Sequence, residues 1–229
     1  MESSMLTPLQ RRVLVTLFEN GVAAQGYYLT GGTALSAFYL RHRYSDDLDF
    51  FTRKRKRLEE DFRTFQELLT SIGMVITSQD VTESYARLFV YAGDQKHDAL
   101  KLEFARDVPA MMAPPEIHDQ IVVDSFEDIA VNKVCTILSR TFEVKDFCDL
   151  FFILHESRYE LDYLISRARE KEKAFDEEEG VLAFATSLLA VRDFRMLPRM
   201  IKLVTLEELR AYFDPIAANL IQRLRPTGR

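Results

Sequence analysis

Residues 28–52 read YLTGGTALSAFYLRHRYSDDLDFFT, and the placing of glycines and aspartates in that stretch decides how the chain is read. A short apolar run ends at Thr30, Gly31-Gly32-Thr33 follows, and three aspartates fall just before Phe50-Phe51. If Leu48 and Phe50 face a core, Asp47 and Asp49 leave their strand by the other face. Two bare carboxylates side by side repel unless a cation or a partner sits between them. The Gly31-Gly32 pair lets the backbone come close to a ligand, and the free N–H groups at the opening of a helix suit a phosphate. Strand, glycine turn, helix, then Ser45-x-Asp47-x-Asp49 entering a second strand therefore places a phosphate cradle and a metal clamp at adjacent strand ends. The cation expected there is that of a bound nucleoside triphosphate.

Outward from this stretch, residues 6–20 carry helical periodicity, with Thr7-Pro8 as a start signal and Gly21 as a stop. Strands are expected at 27–29, 48–51, 74–76, 85–91 and 99–104, and helices at 33–41 and 58–72. On the strand at 99–104, inward Leu100, Leu102 and Phe104 turn Glu103 outward. If that strand neighbours the one bearing Asp49, three carboxylates converge. Three carboxylates without cysteine or histidine suit a hard cation, Mg²⁺ or Mn²⁺, with phosphate oxygens completing its shell. Residues 109–115, PAMMAPP, hold neither a regular helix nor a central strand and are expected to end the sheet. From Ser125, with Asp128 three residues on, the pattern turns helical, with helices at 144–154, 161–169, 177–191 and 206–224. The expected fold is α/β in the α+β sense. An α/β core at 1–124 carries a mixed sheet with flanking helices, and a helical domain at 125–229 completes the active site.

Composition narrows the function classes. With 229 residues, 47% of them hydrophobic, the chain can bury a full core. No apolar run approaches the length of a bilayer span, so no membrane partner and a cytoplasmic location are expected. Cys135 and Cys148 form no CxxC pair and the four histidines show no ligand spacing. A net charge of −6 argues against broad, sequence-independent nucleic-acid binding. The basic run Arg53 to Arg57, directly after the aspartate strand, is a local exception that reads either as a polyanion contact or as a solvated loop. Lys133 by itself reads as a solvent-facing helix lysine, and Asp146 and Asp149 as surface partners of Lys145 and Arg140. Ser45 reads equally as a turn residue.

Several pieces in order resemble the nucleotidyltransferase superfamily, and within it the AbiEii/AbiGii type of bacterial toxin. They are GGTAL at 31–35, R-x-S-x-D-x-D at 43–49, Lys101-Leu102-Glu103, Ala130-x-x-Lys133 with Arg140, and KDFCDL at 145–150. Lys145 stands where the family usually has arginine. The resemblance implies a metal-dependent enzyme that moves a nucleoside monophosphate from an NTP to an RNA (tRNA) or protein acceptor, with a cognate antitoxin as partner. It makes Gly31, Gly32 and Thr33 the phosphate turn, with Arg43 and Ser45 at the nucleotide. Asp47, Asp49 and Glu103 become the metal ligands, Lys133 a triphosphate contact and Asp146 the acid of the fourth motif. Glu103 would act as, or orient, the general base. Transfer to a small molecule such as an aminoglycoside, and a non-catalytic nucleotide- or antitoxin-binding module, are the alternatives.

Overall fold

Thr7 opens α1 (Pro8–Glu19) because its hydroxyl accepts from the Gln10 amide while the Gln10 side chain accepts from the Thr7 amide, a reciprocal cap that satisfies two otherwise orphaned donors. The computed structural model of the chain describes residues 5–54, 58–93, 98–140 and 143–224. These residues fall into two compact units. One takes the chain up to Tyr39 together with Ser45–Ser125, and the other takes Leu40–Tyr44 together with Phe126 onward.

The first unit is built on a seven-stranded mixed sheet. Its strands are β1 (Tyr27–Thr30), β2 (Leu48–Thr52), β3 (Met74–Val81), β4 (Tyr85–Ala92), β5 (Leu100–Arg106), β6 (Glu116–His118) and β7 (Ile121–Val123), in the spatial order β3-β4-β5-β2-β1-β7-β6. β2 runs antiparallel to β1 and parallel to β5. Strict alternation on β2 and β5 buries Leu48, Phe50, Leu102 and Phe104 and leaves Asp49 and Glu103 on the opposite face. The buried face packs on α1 and on α3 (Leu58–Ser71) through a cluster of rings. Phe104 stacks on Phe50 and on Phe65, both at 4.9 Å, and meets the edge of Tyr27 at 6.0 Å. Each such pair adds about 1 kcal/mol beyond the area it buries, so the strand order is pinned from beneath by aromatic contacts.

One expectation from sequence is overturned here and another is refined. Residues 109–115 do not end the sheet. After them the chain forms the β6–β7 hairpin, and β7 joins the sheet parallel to β1 through Leu29 and Val123. Its two turn residues, Asp119 and Gln120, take positive φ of 45° and 73°, as a two-residue hairpin loop requires, without the glycine that would have signalled it. The helix expected at 33–41 is present, but it opens at Gly31 as a single α-turn, α2 (Gly31–Ala34), widens into a π-helical stretch over Leu35–Leu40 and stops at Arg41 with φ 52°.

The second unit consists of α4 (Phe126–Ser139), α5 (Val144–Glu156), α6 (Leu161–Ala168), α7 (Glu178–Leu188) and α8 (Leu206–Leu224), with short 3₁₀ turns flanking α7. Its core is again aromatic, with Phe147 edge-on to Phe194 and Phe213. A buried Lys171–Asp128 pair at 2.7 Å ties the turn after α6 to the start of α4. Among the described residues no helix is long and apolar enough to cross a membrane.

Candidate active site

At the end of β1 the chain must turn sharply away from the sheet, and Gly31 does so at φ +72°. Only glycine fits. A Cβ there would lie 2.1 Å from Asp49 Oδ2, because the Asp49 carboxylate rests against the turn. The register lines up Thr30, Asp49 and Glu103 across β1, β2 and β5, so the three side chains share one face. Thr33 donates its hydroxyl to the Asp47 carbonyl and Gln10 Nε2 donates to the Ser45 carbonyl at 2.8 Å, which fixes the backbone leading into β2. Thr30 donates to Asp124 Oδ2 at 2.9 Å on the far side of the turn.

The partner that separates the carboxylates is Lys101. Its Nζ lies 2.9 Å from Asp47 Oδ2 and 3.0 Å from Glu103 Oε2. Tyr85 on β4 donates its hydroxyl to the other oxygen of Glu103, and Asp49 stands beside Glu103 in the strand register. Burial by itself would raise the Glu103 pKa, but the hydrogen bonds from Tyr85 and Lys101, with the Lys101 charge, hold it below the ordinary glutamate value. Burial likewise works against the Lys101 charge, yet Asp47 and Glu103 push its pKa above the ordinary lysine value. Burial and the bond to Glu103 push Tyr85 up to about 12, so its phenol stays a donor. The expected convergence is therefore partial. Asp49 and Glu103 adjoin, while Asp47 is joined to Glu103 through an ammonium, and among the described residues no three acidic, histidine or cysteine side chains close around one point.

In the helical unit a second polar cluster is fully enclosed. Asp149 accepts from Arg43 Nε at 2.6 Å and Nη2 at 2.9 Å, and from His42 Nε2 at 2.7 Å. Lys133 Nζ lies 2.6 Å from Asp149 Oδ2 and donates to Asp146 Oδ1 at 2.7 Å. All five side chains are buried. Burial would raise the Asp149 pKa, but Lys133 and Arg43 hold it well below the carboxylate range. Burial lowers His42, overriding the pull of Asp149, so its ring is neutral. The segment 199–202 lies against this cluster, with the Tyr44 amide donating to the Arg199 carbonyl at 2.8 Å and the Ile201 amide to the His42 carbonyl at 2.9 Å.

A family model described as "Nucleotidyl transferase AbiEii toxin, Type IV TA system" matches residues 12–225. The chain belongs to the AbiEii family. It is a nucleotidyltransferase. An uncharacterised protein of Aquifex aeolicus is 29% identical over 170 residues, which are 73% of this chain and 76% of that one. The JHP933 protein of Helicobacter pylori shares the fold at TM-score 0.58 and 22% identity, covering 94% of this chain and 90% of its own. MenT4, a nucleotidyltransferase toxin of Mycobacterium tuberculosis, does so at TM-score 0.55 and 16% identity, covering 96% and 82%. The mixed sheet with flanking helices is thus the fold of the AbiEii chain and of these structures.

For this AbiEii member, the structure brings Gly31, Asp49 and Glu103 together and links Asp47 to them through Lys101. The glycine turn and Thr33 sit at the same strand end. Lys133 and Asp146 are not surface residues, as one reading of the sequence has them; they bond each other within the helical unit, and Asp149 joins Lys133 to Arg43. Lys145, read with Arg140 as a surface partner of Asp146 and Asp149, faces Glu143 at 3.8 Å. The basic run is only partly open to view. Arg53 lies over the Tyr28 ring at 4.6 Å and binds Asp107 at 2.9 Å, Lys54 donates to the Ala24 carbonyl at 2.7 Å, and residues 55–57 lie outside the described residues. Gln10, Tyr85 and His42 have no role in the sequence reading, Lys101 is only a motif letter there, and Asp149 is taken for a surface partner of Lys145 and Arg140 where the structure buries it. Gln10 was findable, since a glutamine three residues after Thr7 completes a capping box. Tyr85 was not, because nothing in a strand sequence names the neighbour across the sheet.

Proposed function

We propose that the chain is a metal-dependent nucleotidyltransferase toxin that moves a nucleoside monophosphate from an NTP to an RNA, such as tRNA, or a protein, and that it acts with a cognate antitoxin. The observation that carries the reading is the Gly31 turn closed against Asp49, which is itself in register with Glu103. The donor set suits a hard cation, because Asp47, Asp49 and Glu103 offer oxygen alone and remain partly exposed. These three residues would hold Mg²⁺ or Mn²⁺. When bound, the ion would neutralise charge on the transferring phosphate and its pyrophosphate leaving group. Glu103, held ionised by Tyr85 and Lys101, is in the state needed to accept a proton from an acceptor hydroxyl. Gly31, Gly32 and Thr33 form the phosphate turn. Ser45 shapes the segment that leads to Asp47, and within the helical unit Lys133 and Asp146 form their own buried polar pair beside Asp149.

The test is direct. Protein is incubated with each labelled NTP, Mg²⁺, and separately with total RNA, tRNA and cell lysate, beside the Asp49→Asn and Glu103→Gln variants. Label should enter one macromolecular fraction with wild type and fall at least a hundredfold in both variants. Equal labelling by wild type and the variants would refute the assignment of the site.

A further inference from the structure

The ammonium of Lys101 stands between the oxygens that the proposed reading gives to a divalent cation. It spans Asp47, in the segment before β2, and Glu103 on β5, at 2.9 and 3.0 Å. The same protein shows what a permanent internal ion pair looks like. Arg43 grips both oxygens of Asp149 with a planar fork, at side-chain exposures of 3% and 0%. Lys101 differs in each respect. It offers one nitrogen on a flexible stem, it is shared between two carboxylates, and it is 25% exposed beside Asp47 at 30% and Glu103 at 22%. A compact, hydrated ammonium in such a place screens repulsion without sealing the oxygens from solvent.

We infer that Lys101 is a displaceable internal counter-ion: it holds Asp47 and Glu103 together in the metal-free protein and competes with the divalent cation for the same oxygens. The inference rests on the reading of Asp47, Asp49 and Glu103 as the metal seat. Physically, three neighbouring carboxylates with no cation would spread apart, and the seat would have to be rebuilt each time a metal arrived. An ammonium preserves the spacing at the cost of weaker binding, because the incoming ion must expel a like charge. Expelled from the carboxylates, the ammonium is beside whatever anion accompanies the metal, so the ion enters most readily together with a triphosphate.

The test is a titration of Mn²⁺ into wild type, Lys101→Met, Lys101→Gln and Asp49→Asn without nucleotide, with free Mn²⁺ followed by electron paramagnetic resonance and the metal-free proteins melted in parallel. Lys101→Met and Lys101→Gln should bind Mn²⁺ at least tenfold more tightly than wild type, and should melt at a lower temperature until metal is added. Lys101→Gln keeps hydrogen-bond donors for both carboxylates and carries the comparison if Lys101→Met does not fold. Unchanged or weaker Mn²⁺ affinity in the folded Lys101 variants, with binding still lost in Asp49→Asn, would overturn the counter-ion and leave the metal seat standing. Indistinguishable Mn²⁺ binding by wild type and Asp49→Asn would overturn the seat and the inference with it.

Discussion

Substituting alanine for Gly31 should separate two penalties that usually come mixed. The first is conformational. Gly31 has φ +72°, and a residue with a Cβ in the left-handed region costs about 1–2 kcal/mol. The second is a collision. The new methyl would stand 2.1 Å from Asp49 Oδ2 and 2.9 Å from its Cγ, so to reach an ordinary 3.4 Å contact the carboxylate must retreat by about 1.3 Å. A misplacement of about 1 Å at a reacting centre is enough to cost on the order of a hundredfold in rate. Gly31→Ala should therefore lose about 1–2 kcal/mol of stability, a few degrees in melting temperature, together with a hundredfold or more in transfer. Gly21 supplies the control. It has φ +89° but nothing within 4 Å of its missing Cβ, so Gly21→Ala should pay the conformational cost and keep full activity. Melting curves and initial rates of label transfer for the two variants decide the matter. Gly31→Ala transferring within about twofold of Gly21→Ala would refute the claim that the turn sets the position of Asp49 for the reaction.

Two further outcomes concern the enclosed cluster of the helical unit. Removing one member of a buried ion pair strands its partner's charge, so Asp149→Asn should lower stability to urea by about 3–5 kcal/mol, and Arg43→Lys should recover little because an ammonium cannot span both carboxylate oxygens. A loss under about 1 kcal/mol in Asp149→Asn would contradict the burial described for Arg43 and Lys133. His42 adds a pH signature. Its pKa is depressed in the fold, so the unfolded chain takes up a proton near pH 6.5 that the folded chain refuses. The corresponding stability is complete above that pH and declines below it by up to about 1.4 kcal/mol per unit until the folded value is reached. His42→Gln should flatten this slope between pH 6.5 and 5, and an unchanged slope in urea titrations would show that His42 is not the group responsible.

Much of this protein is legible without coordinates, because local rules act over a few residues. The cap at Thr7, the span of α8, the alternation that turns Asp49 and Glu103 away from Leu48, Phe50, Leu102 and Phe104, and the need for glycine at residue 31 all follow from periods of 2 and 3.6 and from the steric freedom of a residue without Cβ. What the amino-acid sequence leaves open is partnership between distant segments. The same lysine letter stands for Lys101, a quarter exposed between two carboxylates, and for Lys133, sealed between two others, and periodicity ranks neither. The hairpin at β6–β7 is not legible because three-residue strands with an Asp119-Gln120 turn carry almost no local signal, and β7 joins the sheet through a distant segment, pairing Val123 with Leu29. Arg43 and Asp149 are 106 residues apart, and the burial that makes a fixed ion pair of them is a property of packed helices rather than of either segment. Charge, spacing and backbone freedom are local, and so the sequence alone determines where carboxylates and a phosphate turn can form. Which cation separates them depends on desolvation and on side chains arriving from elsewhere in the chain, and that is decided only when the chain has folded.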